Sequence, residues 1–181
     1  MNQGKSIYHI SVTALFTAII AVCAWIAVRL GPVPFTMQTL GVLCAGGLLG
    51  RKRGVAAVIT YLALGAVGLP VFNGFSGGIG VLFGSTGGYL LGFILTAFIT
   101  GWAADKCGRK PIPLLIAMIL GVVACYAVGT VWFMVVYTAK TGAIGLGSVL
   151  MTCVVPFLLP DALKIAASLL IVLRVSRHIK V

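Results

Sequence analysis

Residues 158–173 read LLPDALKIAASLLIVL, an apolar run interrupted by one carboxylate and one ammonium, Asp161 and Lys164. Positions i and i+3 of a helix share a face, so the two charges can point the same way. The run continues on both sides to a length near the ~20 residues that cross a bilayer core, and it reads as a membrane span. A charge inside such a span costs at least about 2.5–3.5 kcal/mol on insertion scales, which makes the pair a candidate functional site. The bland alternative is an ion pair that neutralises itself and only joins helices.

The rest of the chain agrees with a membrane setting. Of 181 residues, 61% are hydrophobic and 8% charged, too few polar side chains to cover a soluble fold of this size. A single membrane domain over residues 1–181 is expected, with no room for a separate soluble one. The formal net charge is +11, but its distribution argues against nucleic acid. Lys5, Arg51, Lys52, Arg53, Lys106, Arg109, Lys110, Arg174, Arg177 and Lys180 account for ten of thirteen basic residues. All ten fall on one side if the chain crosses six times, and the positive-inside rule then puts both termini in the cytoplasm. The plasma membrane, multi-pass, is the expected location. The five cysteines form no CxxC pair and their odd number excludes a complete disulfide framework. The apolar stretch at 8–28 is longer than an ordinary signal-peptide core and is followed by further spans, so a retained first helix is expected.

Six transmembrane helices are expected in an all-α integral membrane protein, at about 8–29, 36–50, 54–69, 87–104, 112–137 and 149–174. Pro32 and Pro34 disfavour a helix in GPVPFTMQ (31–38). Seven of the nineteen residues in 70–88, PVFNGFSGGIGVLFGSTGG, are glycine, which argues against a continuous helix. Pro156 and Pro160 interrupt the last span, and broken backbone at membrane depth survives only beside protein or a water-filled cavity. Counting from Arg174 back to Asp161 at ~1.5 Å per residue gives roughly 20 Å, so Asp161 falls in the outer half of the bilayer. The glycine-rich segment belongs to the same side.

Other residues carry weaker signals. GSTGG lacks the lysine of a Walker A loop, so phosphate binding is not indicated. The segment 70–88 could instead be a flexible outer loop, or its glycines could admit close helix contact; Gly84/Gly88 and Gly88/Gly92 have GxxxG spacing. Asn73 lies close to Phe72 and Phe75, and an amide with aromatics suits a flat heterocycle, although asparagine also caps loops. Phe35 and Gln38 lie on the same outer face, with Phe35 equally suited to interfacial anchoring. Tyr89 could line a pocket or sit at headgroup level, and Trp25, Trp102 and Trp132 read as interfacial or packing residues. Ala14 and Ala18 form a small-xxx-small pair, fitted either to packing within the bundle or to docking on another membrane subunit. His9 and His178 have no ligand partners at metal spacing. The chain has too few acids for paired-carboxylate catalysis, and neither histidine lies at the depth of Asp161 for a Ser-His-Asp triad.

The order PVPFTMQTLGVLCAGGLLG (32–50), YLALGAVGLPVFNGFSGGIGVLFGSTGGYLLGF (61–93) and PFLLPDALKIAAS (156–168) resembles the BioY family, the biotin-binding S components of energy-coupling factor (ECF) transporters. PFTMQTL, GSTGGYLLGF and PDALK carry most of the resemblance, which covers about residues 8–175. It implies a six-helix, non-enzymatic protein that captures biotin from outside. It also implies work in the lipid bilayer with a transmembrane coupling subunit and a pair of ATP-hydrolysing subunits, without a cofactor or metal. Asp161, Lys164 and, on the shorter VFNG match, Asn73 become ligand residues. Phe35, Gln38, Tyr89 and Gly77 are expected around the ligand, with glycine and aromatic groups packing its rings. Ala14 and Ala18 look like the coupling motif of S components. Biotin's ureido group would give its N–H donors to Asp161, and a carbonyl or carboxylate would meet Lys164. Two rival readings stay open: an S component for another vitamin, and a membrane scaffold subunit whose ion pair is purely structural.

Overall fold

The computed structural model describes residues 3–28, 33–142 and 145–177. Arg29, Pro32, His178 and Lys180 lie outside the described residues. Seven helical segments carry the fold: α1 (Gln3–Trp25), α2 (Gln38–Ala66), the single turn α3 (Ile79–Leu82), α4 (Gly87–Cys107), α5 (Pro111–Thr141), α6 (Leu146–Cys153) and α7 (Val155–Val175). Four of them, α1, α4, α5 and α7, contain stretches long and apolar enough to cross a bilayer unaided.

The stretches expected to be the second and third spans form the two limbs of α2, which is not among those four. The break falls at Gly50, whose φ of 77° and ψ of −178° turn the chain back on itself. Gln38 and Tyr61, 23 positions apart, are hydrogen bonded at 2.6 Å, and a Cβ on Gly54 would come within 2.9 Å of the Gly46 Cα. The limbs are therefore antiparallel neighbours. At ~1.5 Å per residue they are roughly 18 and 24 Å long, shorter than a bilayer core, and the second begins with Arg51, Lys52 and Arg53.

Two side chains secure this tip. Asp105, near the end of α4, accepts the Arg51 backbone N–H at 2.9 Å. Arg109 donates to the carbonyls of Gly47 and Leu48 at 3.1 and 2.8 Å, serving the last turn of the first limb. A Cβ on Gly50 would fall onto the Asp105 carboxylate, so glycine is required there both for φ and for space. The basic cluster thus gathers at one end of the bundle, where Arg53 also meets the His9 ring at 2.9 Å.

Close approach of α4 and α5 explains the glycine spacing. Cβ atoms on Gly88 and Gly92 would strike Trp132 and Cys125, the contact expected of small residues between membrane helices. The 70–88 segment is ordered rather than loose. Phe72 N–H donates to the Ser76 carbonyl (3.0 Å) and Gly78 N–H to the Gly65 carbonyl (2.7 Å). The Phe72 ring is buried, lies over Gly65 and meets Tyr61 edge-on. One small departure from an all-helical chain is a two-residue ladder, β1 (Ala27–Val28) with β2 (Phe35–Thr36), pairing Ala27 with Thr36. It follows Trp25 and precedes α2, in the stretch where Pro34 opposes helix.

A buried ion pair in a cavity between helices

The last span breaks at Val154 (φ −125°, ψ −56°), with Pro156 in the first turn of α7. The break precedes the prolines because a proline fits the first turn of a helix, where its missing N–H has no intrahelical partner. Pro160 stays inside α7 and removes one hydrogen bond from the ladder a residue before Asp161. This local break sets α7 to begin beside a cavity, with Asp161 and Lys164 facing inward.

The two charges are 5% and 4% exposed. Lys164 Nζ donates to Asp161 Oδ1 at 2.7 Å, and the Tyr126 hydroxyl, from α5, donates to Asp161 Oδ2. The ammonium also stands over the Phe35 ring, 4.0 Å from its centroid, a position favoured by the ring's negative face. Mutual neutralisation and these contacts make a buried charge tolerable.

The cavity holds about 320 Å³, within the range of small-molecule sites. Its walls come from most of the fold: Gln38 on α2, Phe72 and Asn73 on the glycine-rich segment, Tyr89 and Phe93 on α4, Tyr126 on α5, and Phe157, Asp161 and Lys164 on α7. The Gln38 amide accepts from Thr36 Oγ1 at 3.0 Å and donates to Tyr61 at 2.6 Å, so it is held in place. The Tyr89 hydroxyl is buried beside Thr130 and Cys153, without a hydrogen bond of ordinary geometry among the described residues. Among the described residues the Asn73 amide has no hydrogen-bond partner, and its backbone carbonyl accepts from Ser76 Oγ at 2.8 Å. Apolar rings with a few unpaired polar groups suit a compact ligand with a flat face and a polar edge.

Of the residues expected at the site, Asp161, Lys164, Asn73, Gln38 and Tyr89 come together around the cavity. Phe35 does not line it; it lies behind Lys164 and stacks on Phe157 with centroids 6.5 Å apart. Gly77 is elsewhere as well, packed against the backbone of Gly68 and Leu69, where a side chain would collide with it. Ala14 and Ala18 are exposed on α1, so packing inside the bundle does not account for them. Trp25 donates to the Pro70 carbonyl and Trp132 to that of Gly84, both at 3.0 Å, tying the glycine-rich segment to α1 and α5. Trp102 is exposed. Tyr126, Phe93 and Phe157 also line the cavity without having been expected there, and the only sequence signal of Tyr126 is a phenol in the middle of an apolar span.

A multi-pass helical bundle with a charge-bearing cavity between its helices is the architecture of a membrane protein with a candidate small-molecule site. A profile of the BioY family matches residues 1–181. The biotin transporter BioY of Thermotoga maritima is 43% identical over 164 residues, covering 90% of this chain and 92% of that protein. The probable biotin transporter BioY of Pyrococcus horikoshii is 37% identical over 168 residues, covering 93% and 96%. The crystal structure of an S-component for biotin from an ECF-type ABC transporter superposes with a TM-score of 0.87 at 30% identity, over 98% of this chain and 95% of that one. The chain belongs to the BioY family.

Proposed function

We propose that this chain is the biotin-binding, substrate-capture S component of an ECF-type vitamin uptake transporter. The observation that carries the reading is the buried Asp161–Lys164 pair lining a small-molecule cavity in a chain whose relatives are named biotin transporters. Asp161 and Lys164 offer an acceptor beside a donor. The N–H and C=O of a cyclic urea lie side by side on one edge, so Asp161 takes an N–H and Lys164 the carbonyl. Asn73 and Tyr89 carry unpaired polar groups for the remainder of the ligand, and Phe72, Phe93 and Phe157 pack its rings.

In this reading the chain crosses the plasma membrane six times, with each limb of α2 making a short crossing. The basic end and both termini face the cytoplasm, and the cavity opens outward. The protein performs no chemistry itself. Energy comes from ATPase subunits through a transmembrane coupling subunit, which docks on the exposed Ala14/Ala18 face of α1.

The purified chain, titrated with biotin, dethiobiotin, riboflavin and thiamine, tests this. Trp25 and Trp132 both hold the segment that borders the cavity, so their emission should respond to biotin. A folded chain that answers only to riboflavin or thiamine supports a different vitamin, and one that answers to none supports a scaffold role.

A further inference from the structure

We infer that Tyr126 is a positioning residue for ligand recognition: it fixes the Asp161 carboxylate relative to the cavity walls. This rests on the reading of the cavity as a biotin site. The two donors on Asp161 differ in kind. Lys164 is on the same helix, three residues away, so its bond travels with α7 and cannot orient the carboxylate against the rest of the site. Tyr126 comes from α5 and reaches Oδ2, and among the described residues no donor from another helix joins it. Tyr126 stands on fixed ground. Its neighbour Cys125 donates to the Tyr89 carbonyl at 3.4 Å, and a Cβ on Gly92 would come within 2.9 Å of the Cys125 Cα, so α4 and α5 are pressed together at this level.

Each carboxylate oxygen accepts two hydrogen bonds. With Tyr126 on Oδ2 and Lys164 on Oδ1, one acceptor direction remains on each oxygen, and the Tyr126 bond decides where they point. A carboxylate held so that its free direction lies beside the Lys164 ammonium matches the adjacent N–H and C=O of a cyclic urea. Without Tyr126 the carboxylate can rotate towards the ammonium alone and present both oxygens to it.

A double-mutant cycle in the full-length purified chain tests the inference, with biotin affinity measured by calorimetry in wild type, Tyr126→Phe, Asp161→Asn and the double variant. Tyr126→Phe should weaken biotin about tenfold, as expected for a hydrogen bond to a charged group. In the Asp161→Asn background the same change should cost no more than about twofold, the ordinary error of additivity. A tenfold loss in both backgrounds overturns the inference, because Tyr126 then acts independently of Asp161. A second measurement does not depend on affinity. The chain has only two acidic residues, Asp105 and Asp161, so 13C-aspartate labelling gives two infrared carboxylate signals, and Asp161→Asn identifies one. That band should shift in Tyr126→Phe without ligand; an unmoved band overturns the inference. A folded wild type that binds no biotin overturns the transport reading instead, and the band still decides whether Tyr126 holds Asp161.

Discussion

Replacing Lys164 with methionine separates the two roles that its ion pair could have. Asp161 and Lys164 are 5% and 4% exposed and 2.7 Å apart, so the substitution leaves a buried carboxylate with Tyr126 as its one remaining donor among the described residues. Removing one partner of a buried pair costs about 3–5 kcal/mol, and the Tyr126 bond puts this case near the lower end. At ~2–4 °C per kcal/mol for a chain of this size, the ligand-free melting temperature should fall by about 6–12 °C. Asp161→Asn should cost less, since the stranded ammonium keeps the Phe35 face at 4.0 Å. The Asp161→Asn/Lys164→Met double variant removes both charges and should melt close to wild type, as replaced buried pairs often do. It should nonetheless fail to bind biotin. The assays are thermal unfolding in detergent without ligand and calorimetric titration with biotin. A double variant that binds biotin with wild-type affinity would refute the recognition role. A Lys164→Met protein melting within about 2 °C of wild type would refute the electrostatic argument.

The tip of α2 is the second sensitive point: Gly50→Ala should destabilise by well over the ~1–2 kcal/mol of a left-handed non-glycine residue, because its Cβ also meets the Asp105 carboxylate. Asp105→Ala should cost only about 1 kcal/mol, the loss of a helix cap, and detergent melting curves would expose the argument if the two ranked in the other order. On the exposed face of α1, Ala14→Leu or Ala18→Leu should abolish co-purification with the coupling subunit while leaving biotin affinity unchanged; intact assembly would remove the docking assignment. Orientation can be read from Cys107, which is half-buried while Cys23, Cys44, Cys125 and Cys153 are buried. A membrane-impermeant maleimide should label it in inside-out vesicles and spare it in right-side-out ones, and the opposite pattern would invert the topology.

The long spans were legible because each carries its hydrophobic length in one piece. Expected limits of 87–104 and 112–137 compare with Gly87–Cys107 and Pro111–Thr141. The α2 hairpin was legible as two apolar stretches around the RKR cluster, yet the turn is made by Gly50 and the charged residues continue the helix. Hydropathy marks where polar residues are, while the turn depends on which residue tolerates positive φ. Asp161 and Lys164 were legible because an intramembrane charge has a cost that demands a reason. Tyr126 carried no such cost: a lone phenol in an apolar helix meets Asp161 only when α5 and α7 come together. The place of Gly77 was not legible for the converse reason. A glycine that packs on backbone and one that lines a cavity look identical in sequence, and only the Gly68–Leu69 backbone beside it tells them apart.

The two acids show how the ends of the bundle differ. In lipid, helices gain little from burying apolar surface against one another, so association relies on close packing and a few polar links. At the basic end those links are made within the protein: Asp105 holds the tip of α2, and Arg109 closes the same turn. At the cavity end the 70–88 segment is tied to α1 through Trp25, to α5 through Trp132 and to α2 through Gly65. No hydrogen bond between this segment and α7 occurs among the described residues, although Asn73 and Asp161 line the same space. In the proposed reading, a bound ligand would supply that link. A molecule with hydrogen-bonding groups for both residues would join α7 to the segment that borders it, and would make the cavity end as well connected as the basic end already is.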